Sequence, residues 1–186
     1  MRSPVASHKQ MTRIALEDDL IAFQCPESEG IFLPAESYFR WLSRQSGRLP
    51  HLPKSDGDLE ELIEDDDVIK ICPESGQIMQ RYKVGHGFSF YLDRSPSGSI
   101  WLDKGEWQAL KDRQFHEELH LIFTAPWQDK VRAEQRKEVE RELLVGRFGS
   151  ELLAKIEDLR DELSEHEHRA FALAYLQRPT KPHDQG

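Results

Sequence analysis

The pattern of apolar and polar positions changes near residue 104 of the chain. Before that point, short apolar runs of strand length are broken by Gly, Pro and Ser. After it, apolar residues recur every three to four positions over long segments, which is typical of amphipathic helices. We therefore expect a β-rich front part and an α-helical back part, and hence an α+β fold class.

Three stretches of the front part have the length and residue types of strands: residues 14–23, 79–84 and 88–92. Gly85 and Gly87 flank His86 between the last two stretches and predict a hairpin turn, because glycine tolerates the positive φ angles that such turns require.

In the back part, residues 105–123 are predicted to form one helix, and a charged helix is predicted over residues 127–148 with its end at Gly149. Beyond that point, apolar residues recur at helical spacing: Phe148, Leu152, Ile156, Leu159 and Leu163. Such a stripe packs on a partner helix, so we expect a helical hairpin or small bundle. The same stripe could serve a dimer through the C-terminal helices.

Composition and charge exclude several classes of protein. The 186 residues include 34 acids against 25 Lys and Arg, a net charge of -9, which argues against a nonspecific nucleic-acid-coating protein. The 2 cysteines cannot form a disulfide framework or a four-thiolate metal site. No apolar run is long enough to cross a membrane, and the first residues lack the apolar part of a secretion signal. We expect a cytoplasmic protein.

The tetrapeptide Cys-Pro-Glu-Ser occurs twice, at residues 25–28 and 72–75. Residues 98–107, which follow the second copy, read GSIWLDKGEW. Together these strings resemble the TFIIB-type zinc-ribbon family of short bacterial proteins, in which CPxCG, a β-hairpin and CxxCGGxWLDxGE follow one another. Residues 72–110 cover that pattern once, and residues 25–42 resemble its second half.

The resemblance implies zinc-ribbon β units, yet most of the ligand thiols are missing. A zinc knuckle needs two thiolates on one turn, whereas Cys72 is followed by Ser75 and the second cysteine pair is replaced by residues 94–98. Cys25 and Cys72 remain as remnants. We predict two degenerate, metal-free ribbon-like units in which the cysteines are small buried residues at the start of turns. The alternative is a hybrid zinc site of both cysteines with a histidine such as His86.

The resulting organisation has six segments. They are a disordered N-terminus (1–10), a degenerate half-ribbon unit (11–46), an acidic linker (47–67), a degenerate zinc-ribbon unit (68–112), a helical region (113–178) and a disordered tail (179–186). The acidic run of the linker is expected to be a solvated face, with docking of a basic partner as the alternative.

The string His116-Glu117-Glu118-Leu119-His120 has the spacing of a zinc-protease motif. On a helix, His116 and His120 share a face and can bind one zinc, while Glu117 polarises a water molecule. A metalloprotease-like, zinc-dependent hydrolase is therefore the alternative function. Against it, Phe115 and the apolar residues near it predict the buried face of the helix, and we expect no upstream sheet long enough to form the substrate-binding edge of a protease.

The leading hypothesis is a non-enzymatic adaptor that binds another protein and needs no cofactor. The resemblance links it to transcription, and the negative charge favours a protein partner over nucleic acid. Its expected binding surface combines aromatic and acidic residues of the ribbon and of the helix starts: Trp101, Asp103, Glu106, Trp107 and Trp127. Core packing is the alternative role of Trp101 and Trp107.

Overall fold

The computed structural model describes residues 1–6, 8–45 and 68–178. Within these ranges the chain forms a six-stranded antiparallel sheet and six α-helices, so the expected α+β class is confirmed. The acidic linker at 47–67 and the tail at 179–186 lie outside the described residues.

The order of three strands and a helix occurs twice along the chain. The first repeat contains β1 (Thr12–Glu17), β2 (Leu20–Gln24), β3 (Ile31–Leu33) and α1 (Ala35–Leu42). The second repeat contains β4 (Gln80–Gly85), β5 (Phe88–Arg94), β6 (Ile100–Leu102) and α2 (Glu106–Asp112). The predicted hairpin turn at Gly85–Gly87 is confirmed, since β4 ends at Gly85 and β5 begins at Phe88.

The two repeats form one sheet in the order β1-β2-β3-β6-β5-β4. Their junction is the antiparallel pair β3 and β6, in which Phe32 lies opposite Trp101. Because side chains alternate across a strand, Phe32 and Trp101 point to one face and their neighbours to the other. The neighbours Leu33 and Leu102 belong to the main core, whereas Phe32 and Trp101 belong to a smaller cluster with both cysteines.

The described N-terminal residues, 1–6 and 8–10, belong to the first repeat and are not a disordered segment. Ser3 and Ala6 are buried, and Arg2 pairs with Gln10 in an isolated bridge. In the second repeat, Ile71 and Ile78 form the matching bridge. The first repeat therefore has the same parts as the second, and the expectation of a half unit beginning at residue 11 is corrected.

The predicted strand over residues 14–23 is two strands. Asp19, with φ of 63°, occupies the turn between β1 and β2. Aspartate tolerates this left-handed conformation better than most residues, which allows a tight hairpin without glycine.

The predicted helix over residues 105–123 is also interrupted. After α2, Gln114 has φ of 55° and Phe115 donates its N–H to the Leu110 carbonyl oxygen at 2.7 Å. A 3₁₀ turn (His116–Glu118) and α3 (Leu119–Ile122) follow. This reversal inserts the Phe115 ring into the core, where it is fully buried.

The last three helices are α4 (Ala125–Phe148), α5 (Ser150–Ser164) and α6 (Arg169–Leu176). The predicted end of α4 is confirmed, since Gly149 adopts a positive φ of 76° between α4 and α5. The chain divides into two compact units, Met1–Ala133 and Glu134–Gly186. Within the described ranges, no helix combines the length and the apolar character needed to cross a bilayer.

Candidate functional site

Four turns occupy equivalent places in the two repeats, and each begins with a small buried residue: Ser3, Cys25, Cys72 and Ser95. In each turn the backbone N–H of this residue donates to a carbonyl oxygen on the returning chain. Cys25 donates to Gly30 and Cys72 to Gln77, both at 2.8 Å. Each repeat therefore contains one cysteine and one serine at these positions, in opposite order along the chain.

The side chains of these first residues bond within the turns. Ser3 Oγ accepts the N–H of Ala6 at 3.1 Å, Cys25 Sγ that of Ser28 at 3.5 Å, and Ser95 Oγ that of Ser99 at 3.0 Å. Burial raises the pKa of the Cys25 thiol, but hydrogen bonds from Ser28, Ser3 and Glu27 outweigh it, and the pKa lies below its ordinary value. The prediction that both cysteines are small buried residues at the start of turns is confirmed.

The residues at these turns do not fit a structural zinc. The first and fourth turn positions are Ser3, Ala6, Cys25 and Ser28 in the first repeat, and Cys72, Ser75, Ser95 and Gly98 in the second. A structural zinc takes four nitrogen or sulfur ligands, and one thiol in each repeat cannot supply them. In the part of the chain that the structure describes, no three His, Cys, Asp or Glu side chains form a metal-binding group.

The hybrid site of both cysteines with His86 is not formed. Cys25 and Cys72 pack in the small cluster with Phe32 and Trp101. The His86 ring lies instead in the β4–β5 turn, 4.2 Å from the ring of Trp127.

A fully buried lysine lies just before the first turn of the second repeat. Lys70 Nζ is 2.9 Å from Asp93 Oδ2 and 3.3 Å from Asp103 Oδ2. Asp103 is itself held in place, because its Oδ1 accepts the Trp101 Nε1–H at 2.6 Å. A buried cation is tolerated only with well-placed counter-charges. The cluster thus joins the segment before the turn to the end of β5 and to the residues after β6.

The two histidines of the zinc-protease string contact different groups. The His116 ring packs 5.8 Å from Trp41 and its Nε2 is 3.4 Å from Glu17 Oε1. His120 lies on α3, with its Nδ1 3.5 Å from the Tyr38 hydroxyl. Within the described residues no third ligand completes a metal site with them, so the geometry gives the hydrolase alternative no support.

The Tyr38 hydroxyl connects α1 to the same string. It donates to the Glu117 carbonyl oxygen at 2.9 Å. Burial raises the pKa of the Tyr38 phenol well above its ordinary value. This tyrosine therefore anchors the 3₁₀ turn to α1 as a neutral hydrogen-bond donor.

The five residues expected to form a binding surface are buried, and this expectation is corrected. Trp101, Asp103, Glu106, Trp107 and Trp127 are each at most 7% exposed. Trp127 donates its Nε1–H to the Val84 carbonyl oxygen at 2.8 Å, which ties α4 to β4. For Trp101 and Trp107, core packing is the observed role.

Exposed isoleucines lie around the first turn of the second repeat. Ile69, Ile71 and Ile78, which we term the isoleucine patch, are 73%, 52% and 67% exposed. Ile71 and Ile78 occupy the bridge positions that hold Arg2 and Gln10 in the first repeat. Because the first repeat has polar residues at the bridge positions, the fold itself does not require apolar side chains at these positions. In the sequence, the signal that could have indicated this patch is the aliphatic segment that directly follows the acidic run.

No protein-family model, curated protein or solved structure matches this chain significantly.

Proposed function

We propose that the protein is a non-enzymatic adaptor that binds another protein through the isoleucine patch. The observation that carries this proposal is the difference between the two repeats at one pair of positions. Ile71 and Ile78 are exposed where the first repeat has the polar residues Arg2 and Gln10. Adjoining exposed apolar side chains on a folded unit are characteristic of protein-binding surfaces.

The scaffold of the proposed adaptor is a pair of metal-free repeats of zinc-ribbon type. Two features support this assignment: the four hydrogen-bonded turns at equivalent places, and the Trp-Leu-Asp-x-Gly-Glu string at residues 101–106. In the second repeat, the bonds of Lys70 to Asp93 and Asp103 hold together the parts that a zinc would otherwise join. The motif resemblance supports a transcription-linked partner.

The surroundings of the patch indicate what the partner presents. Ile78 borders a shallow depression that is also lined by Tyr82, Arg94 and Pro96. An apolar side chain of the partner would pack against the isoleucine and the tyrosine that line this depression, and a carboxylate beside it would pair with the guanidinium of Arg94. We therefore expect the partner to contribute an apolar segment flanked by an acidic residue.

The test uses the first repeat as a template for substitutions. The double variant Ile71→Arg/Ile78→Gln gives the second repeat the bridge residues of the first, and its circular dichroism should match that of the wild type. Capture from a lysate of the source cells, followed by mass spectrometry, should identify a protein that binds the wild type and is lost from this variant.

The matched control changes two exposed apolar residues elsewhere in the chain. Val139→Gln/Leu143→Gln alters α4 in the other compact unit, where both side chains are exposed, and should leave capture unchanged. Loss of the partner in this control alone would place binding on the helices. If the wild type captures no specific protein, the adaptor proposal is wrong.

A further inference from the structure

The helices of the second compact unit expose most of their apolar side chains. Within the described residues 134–178, Leu153 is the one buried side chain. Phe171 and Tyr175 of the eight-residue helix α6 are 68% and 63% exposed. Packing within the chain therefore leaves much of the apolar surface of this unit exposed.

Helix α5 carries an apolar seam with coiled-coil spacing. Leu152, Ile156, Leu159 and Leu163 are separated by four, three and four residues, which is the alternation of the two core positions of a heptad. The first three of these side chains are 40–50% exposed. The seam is therefore regular and still accessible.

The contacts of α5 with its own unit lie to one side of this seam. Leu153 is buried, and Glu157 Oε1 is 3.4 Å from Arg141 Nη1 of α4. Both residues lie about a third of a turn round the helix from the seam, at 100° per residue. Packing within the unit thus leaves the seam partly exposed.

The charges beside the seam select both the partner and its direction. Lys155 and Glu162 occupy one flank of the seam, and Arg160 occupies the other. If a second α5 packed in parallel, Lys155 would lie beside Arg160 of the other copy, and the two cations would repel each other. In an antiparallel pair, Lys155 lies beside Glu162 of the other copy, and symmetry forms this ion pair twice.

We propose that a second copy of this chain covers the seam, with the two α5 helices antiparallel about a two-fold axis. Leu152 then packs against Leu163 of the other copy, and Ile156 against Leu159. Pairing of the two seams would bury Leu152, Ile156 and Leu159, which are 40–50% exposed, on both copies.

The first test is the mass of the full-length chain in solution. Light scattering after size-exclusion chromatography should give twice the chain mass of 21.7 kDa. Ile156→Asp/Leu159→Asp should give the monomer mass with retained circular dichroism of the sheet-containing unit. A monomeric wild type at micromolar and hundred-micromolar concentrations would overturn the proposal.

A charge exchange tests the antiparallel direction. Lys155→Glu places two acidic residues together at both ion pairs and should raise the dissociation constant about tenfold. Adding Glu162→Lys restores opposite charges and should return the constant to within about threefold of the wild type. The control Lys104→Glu, with the same change in net charge at an exposed loop position, should have no effect.

Two results would reject this assignment. One is a dissociation constant that is unchanged by Lys155→Glu, and the other is a double variant as weak as the single one. The dimer is independent of the isoleucine patch, so the variant Ile71→Arg/Ile78→Gln should remain dimeric. Its dissociation to monomers would place the interface on the patch and not on α5.

Discussion

Phe32 and Trp101 lie opposite each other across β3 and β6, at the junction of the two repeats. Both are fully buried, on the face of the sheet that does not carry the main core. Met11 and Met79 pack in the same small cluster, as do the two cysteines. The junction is therefore stabilised by strand pairing and by burial of aromatic and sulfur-containing side chains.

Gly30 is predicted to be intolerant of any side chain. A Cβ atom at this position would overlap the indole ring of Trp101, which is fully buried and cannot move aside. Gly30→Ala should lower the free energy of unfolding by about 1–3 kcal/mol, the usual cost of overpacking. Urea unfolding followed by tryptophan fluorescence measures this change.

Gly146→Ala provides the matched control for that substitution. Gly146 lies in α4, and a Cβ atom there would extend into open space, with no atom of another described segment within 4 Å. Alanine should therefore be neutral or stabilising by up to about 1 kcal/mol, because it favours the helix more than glycine does. Equal unfolding free energies for both alanine variants would show that the Trp101 contact does not constrain Gly30.

Removal of the buried cation is predicted to be strongly destabilising. Lys70→Met removes the cation that pairs with the buried carboxylates of Asp93 and Asp103, which should cost about 3–5 kcal/mol of unfolding free energy. Adding Asp93→Asn and Asp103→Asn removes these two buried negative charges and should recover part of the loss. Chemical denaturation of the three proteins provides the comparison.

The control is a lysine that pairs at the surface. Lys104 Nζ is 2.9 Å from Glu29 Oε1, and both side chains are more than half exposed. Lys104→Met should change the unfolding free energy by less than about 1 kcal/mol. A similar small effect of Lys70→Met would mean that the buried cluster contributes little to stability.

The sequence predicts the fold well wherever glycine or a repeated motif marks a turn. Gly85 and Gly87 indicate the hairpin, Gly149 indicates the end of α4, and the repeated Cys-Pro-Glu-Ser indicates two related units. The turn at Asp19 and the break at Gln114 use positive φ in residues other than glycine. Asp19 is a weaker turn signal than glycine, and nothing local marks the break at Gln114, where the tertiary packing stabilises the backbone.

The candidate site is harder to predict, since burial depends on partners that are distant in the sequence. Residues 68–71 read Val-Ile-Lys-Ile, and hydrophobicity alone predicts that Ile69 and Ile71 face the core and that Lys70 faces solvent. The structure has the reverse arrangement, because Asp93 and Asp103 bind the lysine inside. The local sequence around Trp101 likewise cannot distinguish a tryptophan that packs in the core from one that contacts a partner.

Stability at high pH should depend on Tyr38. Burial raises the pKa of its phenol above the ordinary value of 10.0, so the unfolded chain loses this proton at a lower pH than the folded protein does. Its contribution is therefore constant below pH 10.0 and is lost as the pH rises above that value. The Tyr38→Phe variant has no phenol to ionise at this position, so this decrease in stability at high pH should be absent from it.

The difference between wild type and Tyr38→Phe isolates the effect. Near neutral pH the variant should be less stable by about 1 kcal/mol, because it lacks the hydrogen bond to the Glu117 carbonyl oxygen. Above the ordinary pKa, the wild type should lose about 1.4 kcal/mol of stability per pH unit relative to the variant, so that the variant becomes the more stable protein. A difference that stays constant with pH would show that the folded protein ionises this phenol normally.

Metal content distinguishes the adaptor from the hydrolase that the string at residues 116–120 suggests. Mass spectrometry of protein purified without a histidine tag or chelator should find less than about a tenth of an equivalent of zinc, and a chelator should leave the melting temperature unchanged. If the protein instead holds close to one equivalent of zinc, and the Cys72→Ala variant loses it, then a repeat retains its metal. Loss in His116→Ala instead would favour the hydrolase, and Glu117→Gln should then abolish activity while retaining the zinc.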